Sequence, residues 1–336
     1  MRIDAYTHFI PPKFFEKLVE SGHADIGKRM RGIPSIYDLD VRNRIVDSFD
    51  NYAQILSYPM PPLEYLAAPD KVEDYARIIN DGFAEICARD PKRYPGWVAQ
   101  APMSAPDAGV RETERALKNG ALGVQIYTNV HGKPIDRPEF EPFFAAMNGN
   151  RKPVWMHPAR NAKHPDYMDE PKSKYEIWWA LGWSYETAAA MSRLVFSRTL
   201  DKYPNLKIIV HHFGGIVPML EGRIGPGWDQ IGARTSDEDL DALRRSLKMR
   251  PLDYFKQSFH ADTATFGGRG AALCGFDFFP MDHIVFASDC PFDPEKGPGY
   301  IRETTKIIDS MNFPKDDLDR IYRGNLEALT GVTFFR

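Results

Sequence analysis

The sequence alternates between strand-like and helix-like segments along its whole length. Eight short apolar runs, several of them rich in β-branched and aromatic residues, are separated by longer segments with apolar residues at helical spacing. The predicted strands are residues 2–8, 53–58, 96–101, 123–127, 153–157, 208–212, 258–262 and 284–288. Regular alternation of this kind builds a parallel sheet with helices outside. Eight units favour a (β/α)8 TIM barrel, an α/β fold distorted by long βα loops.

A doubly wound open sheet is the alternative arrangement of the same elements. No Gly-x-Gly-x-x-Gly motif follows the first strand, which disfavours a dinucleotide-binding fold. A chain of 336 residues suggests two domains by length alone. Barrels of this size are often single domains, so we expect one domain over residues 1–336. The predicted helices are residues 13–21, 41–50, 70–89, 105–118, 137–148, 185–203, 266–274, 300–311 and 315–329, and residues 23–38 and 158–174 are predicted loops.

Composition narrows the kinds of partner that the chain can have. A net charge of −3 and a pI near 6.3 give no reason to expect nucleic acid. The sequence has no apolar run of about 18 residues, so no membrane span is predicted. The N-terminus lacks the apolar region of a secretory signal, and three cysteines are too few for a disulfide framework. A cytoplasmic protein is therefore expected.

Polar side chains concentrate where the predicted strands end. They are His8, His157, His211, His212, His260, Asp262 and Asp289. The carboxyl ends of barrel strands form one rim, and burying so many polar groups there is costly unless they bind something. Imidazole and carboxylate ligands together suit a divalent metal such as Zn, Mn or Fe.

Two histidines follow each other at the end of the sixth predicted strand. Successive side chains of a strand point to opposite faces, so only one of His211 and His212 is expected to face the site. Trp178 and Trp179 lie between a strand and a helix, where they either fill the core or wall a ligand pocket.

Several short motifs resemble the decarboxylase branch of the amidohydrolase superfamily, which includes aminocarboxymuconate semialdehyde decarboxylases and resorcylate-type decarboxylases. The matching segments are residues 3–8 (Ile-Asp-Ala-Tyr-Thr-His), 41–44 (Val-Arg-Asn-Arg), 123–126 (Gly-Val-Gln-Ile), 156–158 (Met-His-Pro), 203–207 (Tyr-Pro-Asn-Leu-Lys), 212–215 (His-Phe-Gly-Gly), 222–224 (Gly-Arg-Ile) and 288–292 (Ser-Asp-Cys-Pro-Phe). The likeness runs nearly end to end. In this order the motifs are fairly specific for the family and much less so for a substrate.

The resemblance implies roles for particular residues. His8, His157 and Asp289 would bind one divalent metal ion, with Zn or Mn expected. His212, which has the family's spacing from Gly222-Arg223, would act as acid or base, together with Asp289. His211 would then point away, toward the surrounding helices.

One position departs from the pattern of the resembled enzymes. The aminocarboxymuconate enzymes carry His-x-His on the first strand and the resorcylate-type relatives carry Glu at its first position, where this chain has Tyr6. Tyr6 shares a face with His8 and is a candidate phenolate ligand, a hydrogen-bond donor to substrate, or a space-filling residue. Phenolate ligation requires the pKa of the Tyr6 hydroxyl to fall far below its usual value of about 10, so it is the less favoured role. His260 shares a face with Asp262 and is a candidate extra ligand, or part of a second metal site.

The resemblance and the site chemistry predict a metal-dependent, non-oxidative decarboxylase of an aromatic or conjugated carboxylic acid. Loss of CO2 leaves a carbanion-like centre that needs positive charge nearby, for which Arg223, Arg160 and residues 29–31 are candidates. Trp178 and Trp179 would stack on a planar substrate. The alternatives are a metal-dependent hydrolase or hydratase, a Mn or Fe redox enzyme, and a metal-less partner subunit. A homo-oligomer, dimer or tetramer, is expected by resemblance alone.

Overall fold

Eight parallel strands pair in the order of the sequence, each with the next. They are β1 (Arg2–His8), β2 (Tyr52–Ser57), β3 (Gly96–Gln100), β4 (Gly123–Tyr127), β5 (Val154–His157), β6 (Ile208–Val210), β7 (Phe259–Asp262) and β8 (Ile284–Val285). The computed structural model describes residues 1–21 and 24–335, with residues 24–27 as backbone only. A short antiparallel hairpin of Asn129–Val130 and Lys133–Pro134 follows β4.

Backbone hydrogen bonds join the last strand to the first. Ala5 N donates to Phe286 O at 2.8 Å, and His8 N donates to Cys290 O at 2.8 Å. Closure leaves no open edge in the sheet, so the predicted (β/α)8 barrel is confirmed and the open doubly wound sheet is excluded.

Apolar side chains fill the barrel and the layer around it. The inside is packed by Ile3, Ile55, Val98, Trp155 and Val285, all at most 1% exposed. A larger cluster lies between the strands and the helices. These strands are buried on both faces, which explains why their sequences are nearly continuous apolar runs.

The helices lie around the barrel. They are α1 (Pro12–Glu20), α2 (Ala24–Arg31), α3 (Leu39–Asp47), α4 (Val72–Arg89), α5 (Pro106–Lys118), α6 (Glu141–Asn150), α7 (Ile177–Ala180), α8 (Gly182–Phe196), α9 (Thr199–Lys202), α10 (Glu221–Asp229), α11 (Leu240–Ser246), α12 (Pro251–Gln257), α13 (Arg269–Phe278), α14 (Pro298–Asp309), α15 (Lys315–Asp319) and α16 (Asn325–Thr330). In the described part of the chain, no helix has the length and apolar character needed to cross a membrane.

The predicted elements differ from the observed ones mainly outside the barrel. The predicted loop 23–38 contains α2 and a 3-10 turn, Pro34–Ile36, while residues 22 and 23 lie outside the described residues. Four charged residues among the eight of α2 hide its helical period. Helices α10 to α12 were not predicted, and the predicted helix 315–329 is interrupted by a π-helical segment, Arg320–Gly324.

Candidate active site and metal centre

Three side chains meet where β1, β5 and the segment after β8 reach the same rim. His8 ends β1, His157 ends β5 and Asp289 follows β8, and each is at most 6% exposed. His8 Nε2 lies 3.0 Å from Asp289 Oδ1. One ligand atom each of His8, His157 and His211 lies within 4.8 Å of the others, and so do those of His211, His212 and Asp289. We call these five residues the rim cluster.

Hydrogen bonds to the outer ring nitrogens determine where two of these histidines carry their protons. His157 Nδ1 lies 2.7 Å from Pro158 O, a carbonyl that can only accept, so Nδ1 carries the proton. His8 Nδ1 lies 3.1 Å from Ser57 Oγ, which itself donates to Thr7 O at 3.0 Å. Ser57 Oγ therefore accepts from His8. Both rings present an unprotonated Nε2 to the cluster, as metal-binding histidines do.

The donor set fits a divalent cation. With Nδ1 protonated, His8 Nε2 and Asp289 Oδ1 are two acceptors facing each other, and the described residues offer His8 Nε2 no hydrogen bond. Two buried lone pairs at this distance repel unless a positive charge lies between them. Burial lowers the pKa of His8, and burial with His211 and His8 nearby lowers that of His157 well below its usual range, so both rings are neutral. Two imidazoles and one carboxylate are a common zinc or manganese ligand set.

His211 points into the site, and the prediction that it faces the helices is wrong. Its ring is fully buried, with Nδ1 donating to Asp262 Oδ2 at 2.5 Å and Nε2 donating to Asp289 Oδ1 at 3.3 Å. Burial opposes the charge, yet the carboxylates of Asp262 and Asp289 raise the pKa of His211 to about 9. Burial opposes ionisation of Asp289, yet the hydrogen bond and charge of His211 hold the pKa of Asp289 well below its usual range. His211 is thus an imidazolium between two carboxylates.

The chain turns sharply just after β6, which is why strand alternation does not apply to the two histidines. β6 ends at Val210, and His212 and Phe213 have left-handed backbone angles, with φ of 57° and 51°. The two imidazole rings consequently stack, with centroids 3.6 Å apart. Gly215 is needed in this turn because its φ is 66° and a Cβ there would collide with Ser184 O.

His212 is neutral and presents a free ring nitrogen at the edge of the cluster. Its Nδ1 donates to Ala264 O at 3.0 Å, which leaves Nε2 unprotonated. Burial and the neighbouring His211 charge lower its pKa to about 4. The ring can therefore accept a proton at Nε2 and return it.

Tyr6 lies against the cluster with an unpaired hydroxyl. The ring is fully buried, with centroids 4.2 Å from His211, 5.2 Å from His8 and 6.1 Å from His157. Its hydroxyl has no hydrogen-bond partner among the described residues. Burial, reinforced by nearby Tyr127, Asp262 and Asp289, raises its pKa well above 10, which opposes a phenolate.

Three aromatic side chains, which we call the aromatic entrance, pack against histidines of the rim cluster. Trp183 contacts His157, Phe292 contacts His8 and Phe266 contacts His212, with ring centroids 4.7 to 5.6 Å apart. The predicted Trp178 and Trp179 lie behind Trp183, at centroid distances of 5.9 and 6.4 Å. Within the described residues, the two predicted tryptophans therefore contact Trp183 and make no ring contact with the cluster.

Two predicted site residues lie elsewhere, and a third has another partner. Arg223 is exposed on α10, beside a surface cavity of about 460 Å³ whose lining includes Trp228 and no member of the rim cluster. His260 stacks on His283, with ring centroids 4.2 Å apart. It precedes Asp262 by two residues on β7, which places it about 6.6 Å further from the rim, toward the other end of the barrel. This position contradicts its proposed role as a ligand or part of a second metal site. Arg160 pairs with Glu186 at 3.2 Å.

The sequence placed Asp262 at the rim without assigning it a role, and it gave no indication of Trp183. Residue Val210 pairs with Ala261, so the residues after them, His211 and Asp262, are opposite each other. An aspartate ending one strand beside a histidine ending its neighbour was therefore a usable signal. Trp183 had no such signal, because its approach to His157 depends on the loop before α8.

The chain belongs to the amidohydrolase family, whose pattern matches residues 3–330. It is 30% identical to 2-amino-3-carboxymuconate-6-semialdehyde decarboxylase of Dictyostelium discoideum, over 99% of this chain and 92% of that protein. It is 28% identical to gamma-resorcylate decarboxylase of Rhodococcus jostii, over 86% of each. The structure of a dihydroxybenzoic acid decarboxylase from Polaromonas, with bound manganese and the inhibitor 2-nitroresorcinol, matches with a TM-score of 0.79 at 24% identity, over 98% and 96% of the two chains.

These relatives confirm the predicted class of enzyme, a carboxy-lyase of the amidohydrolase superfamily. The donor set of the rim cluster also fits the expected divalent metal ion.

Proposed function

We propose that this protein removes CO2, without oxidation, from an aromatic or conjugated carboxylic acid at the rim cluster. The observation that supports this most directly is the pair of facing acceptors, His8 Nε2 and Asp289 Oδ1, beside the neutral His157. The relatives named above act on gamma-resorcylate and on 2-amino-3-carboxymuconate semialdehyde, which are acids of the proposed kind.

His8, His157 and Asp289 would hold one divalent ion, Mn or Zn. When bound, such an ion acts as a Lewis acid on the oxygens of the carboxylic acid. His211 keeps Asp289 ionised and fixes its orientation through the hydrogen bond at 3.3 Å. Asp262 in turn orients His211, in the way that outer carboxylates orient metal-site histidines.

Replacing CO2 by hydrogen requires a proton at the carbon that loses the carboxylate. That proton comes from water, and His212 Nε2 is the group best prepared to accept it and pass it to the carbon, because Nδ1 is committed to Ala264 O and the ring is neutral. Asp289 is the second candidate. The negative charge that develops at the carbon is stabilised by the imidazolium of His211, so the role expected for Arg223 falls to a histidine.

The aromatic entrance suits a planar substrate. Trp183, Phe292 and Phe266 contact three different histidines of the cluster, so a flat acid could pack among them while its carboxylate reaches the cluster. Such packing also keeps water from the reacting carbon.

The direct test is CO2 release from gamma-resorcylate and 2-amino-3-carboxymuconate semialdehyde by the manganese-loaded protein. We expect stoichiometric CO2 from at least one acid, lost in His157→Ala and kept in His164→Ala, which changes a histidine outside the cluster. Products that gain water instead of losing CO2 would contradict the proposal and favour the hydrolase or hydratase.

The homo-oligomer and the cytoplasmic location expected from the sequence remain part of this proposal. Light scattering on the purified, metal-loaded protein tests the first, with a dimer or tetramer expected. Fractionation of the source cells tests the second.

A further inference from the structure

The fully buried hydroxyl of Tyr6 has no partner among the described residues, although its ring touches three histidines of the rim cluster. Leaving a buried hydroxyl unpaired costs free energy, so a group absent from the chain itself is the natural partner. The mechanism derived above gives a role to all five residues of the rim cluster and none to the hydroxyl of Tyr6.

An unpaired buried hydroxyl does not by itself identify a site, as Tyr58 demonstrates. Tyr58 is also fully buried, and its hydroxyl has no partner in the described part of the chain, where its ring packs against Phe14 and makes no ring contact with the cluster. The location of Tyr6 makes the difference. The pairing of β1 with β2 slips by one residue between Asp4 and Thr7, and such irregularities re-aim side chains.

The ligand set is complete without Tyr6. His8, His157 and Asp289 already supply three protein ligands, the number found in catalytic sites that keep a position open for substrate. Asp262 and Asp289 already bring two negative charges to this interior, and His211 is shared between them. With the divalent ion bound, the site keeps a net positive charge that the carboxylate of a substrate would neutralise, and a phenolate of Tyr6 would compete with that carboxylate.

We propose that Tyr6 is not a metal ligand and that its hydroxyl donates a hydrogen bond to an oxygen of the bound carboxylic acid. This inference rests on the proposed function, because it assumes a carboxylate at the rim cluster. It makes Tyr6 a substrate-positioning residue and leaves the metal ion with three protein ligands.

The experiment measures metal binding and ligand binding separately, without turnover. Manganese affinity is measured by competition with a chelating dye, and affinity for 2-nitroresorcinol by titration of the manganese-loaded protein. Tyr6→Phe should bind manganese as the wild type does but bind 2-nitroresorcinol about 10-fold more weakly or worse. Tyr58→Phe is the matched control, since it removes the same atom at equal burial, and should match the wild type in both measurements.

Tyr6→His provides a second variant in case the first folds poorly. It places a ring nitrogen near the ion, so manganese affinity should rise while affinity for 2-nitroresorcinol falls. If Tyr6→Phe loses manganese as His157→Ala does, Tyr6 is a ligand and the proposal is wrong. If Tyr6→Phe binds both partners like the wild type, Tyr6 only fills space and the proposal is equally wrong.

Failure of the proposed function would be visible in the wild type. A wild-type protein that binds manganese, but neither binds 2-nitroresorcinol nor releases CO2 from the tested acids, contradicts the decarboxylase and the donor role together. A defect confined to the Tyr6 variants supports the donor role and leaves the decarboxylase standing.

Discussion

His8 Nε2 and Asp289 Oδ1 face each other at 3.0 Å as two acceptors, because His8 has already committed its proton to Ser57 Oγ. This relationship suits a cation between the two groups, because neither can donate a hydrogen bond to the other. Each partner comes from an opposite end of the sequence, and the closure of the barrel brings them together.

Replacing the carboxylate of this pair should weaken metal binding. Asp289→Asn removes the charge of a proposed ligand. Loss of a residue that only hydrogen-bonds to a ligand lowers metal affinity by about 10- to 100-fold, so loss of this ligand charge should lower manganese affinity by more than that. Asp277→Asn, an exposed change on α13, should leave affinity unchanged. Chelator competition measures both, and equal affinities would exclude Asp289 from the ligand set.

The hydroxyl of Ser57 should matter although it cannot reach the ion. Ser57→Ala removes the acceptor of His8 Nδ1–H and with it the orientation of the ring. We expect manganese affinity to fall about 10- to 100-fold. Ser48→Ala removes an exposed hydroxyl that donates to Ile45 O at the end of α3, away from the cluster, and it serves as the control. An unchanged affinity would mean that packing alone orients His8.

The turn that brings His211 and His212 together should depend on Gly215. Gly215→Ala introduces a Cβ at a φ of 66° against Ser184 O, so the free energy of unfolding should fall by about 1–3 kcal/mol. Gly222→Ala, on α10 with open space around it, should be neutral or stabilise by up to about 1 kcal/mol. Urea denaturation of both variants compares them, and equal stabilities would show that the turn relaxes freely.

The aromatic entrance should affect substrate affinity more than metal binding. Trp183→Leu removes the indole beside His157, and we expect KM for an aromatic acid to rise about 3- to 10-fold with manganese content unchanged. Tyr185→Leu, an exposed aromatic on the same helix, is the control. A KM unaffected by Trp183→Leu would place the substrate elsewhere.

His260 should lower stability in acid. Burial, with the neighbouring His283 and Lys207, lowers its pKa to about 3, whereas an unfolded histidine titrates near 6.5. The unfolded chain therefore binds the extra proton first, and stability is lost as pH falls below about 6.5. Through this group, each pH unit below about 6.5 lowers the free energy of unfolding by up to about 1.4 kcal/mol.

His260→Gln removes that contribution. Urea denaturation between pH 7 and pH 4 should give a shallower decline for the variant than for the wild type. Parallel declines would show that His260 is solvated or remains charged in the folded protein.

The sequence by itself determined the barrel and the meeting of His8, His157 and Asp289 at one rim. Strand-like runs alternating with helical ones predict (β/α)8 closure, and the rule that parallel strands end at one rim places His8, His157 and Asp289 together. These inferences succeed because they depend on local periodicity and on the direction of the chain, which a linear pattern contains.

Only the tertiary structure decided which of the remaining polar residues join them. Two left-handed residues after β6 bring His211 beside His212, where alternation predicted opposite faces. His260 shares a face with Asp262 but lies too far down its strand, and Arg223 lies on the outside of α10. A side chain's distance along the barrel axis, and a turn's direction, depend on packing between segments distant in sequence, which periodicity does not encode.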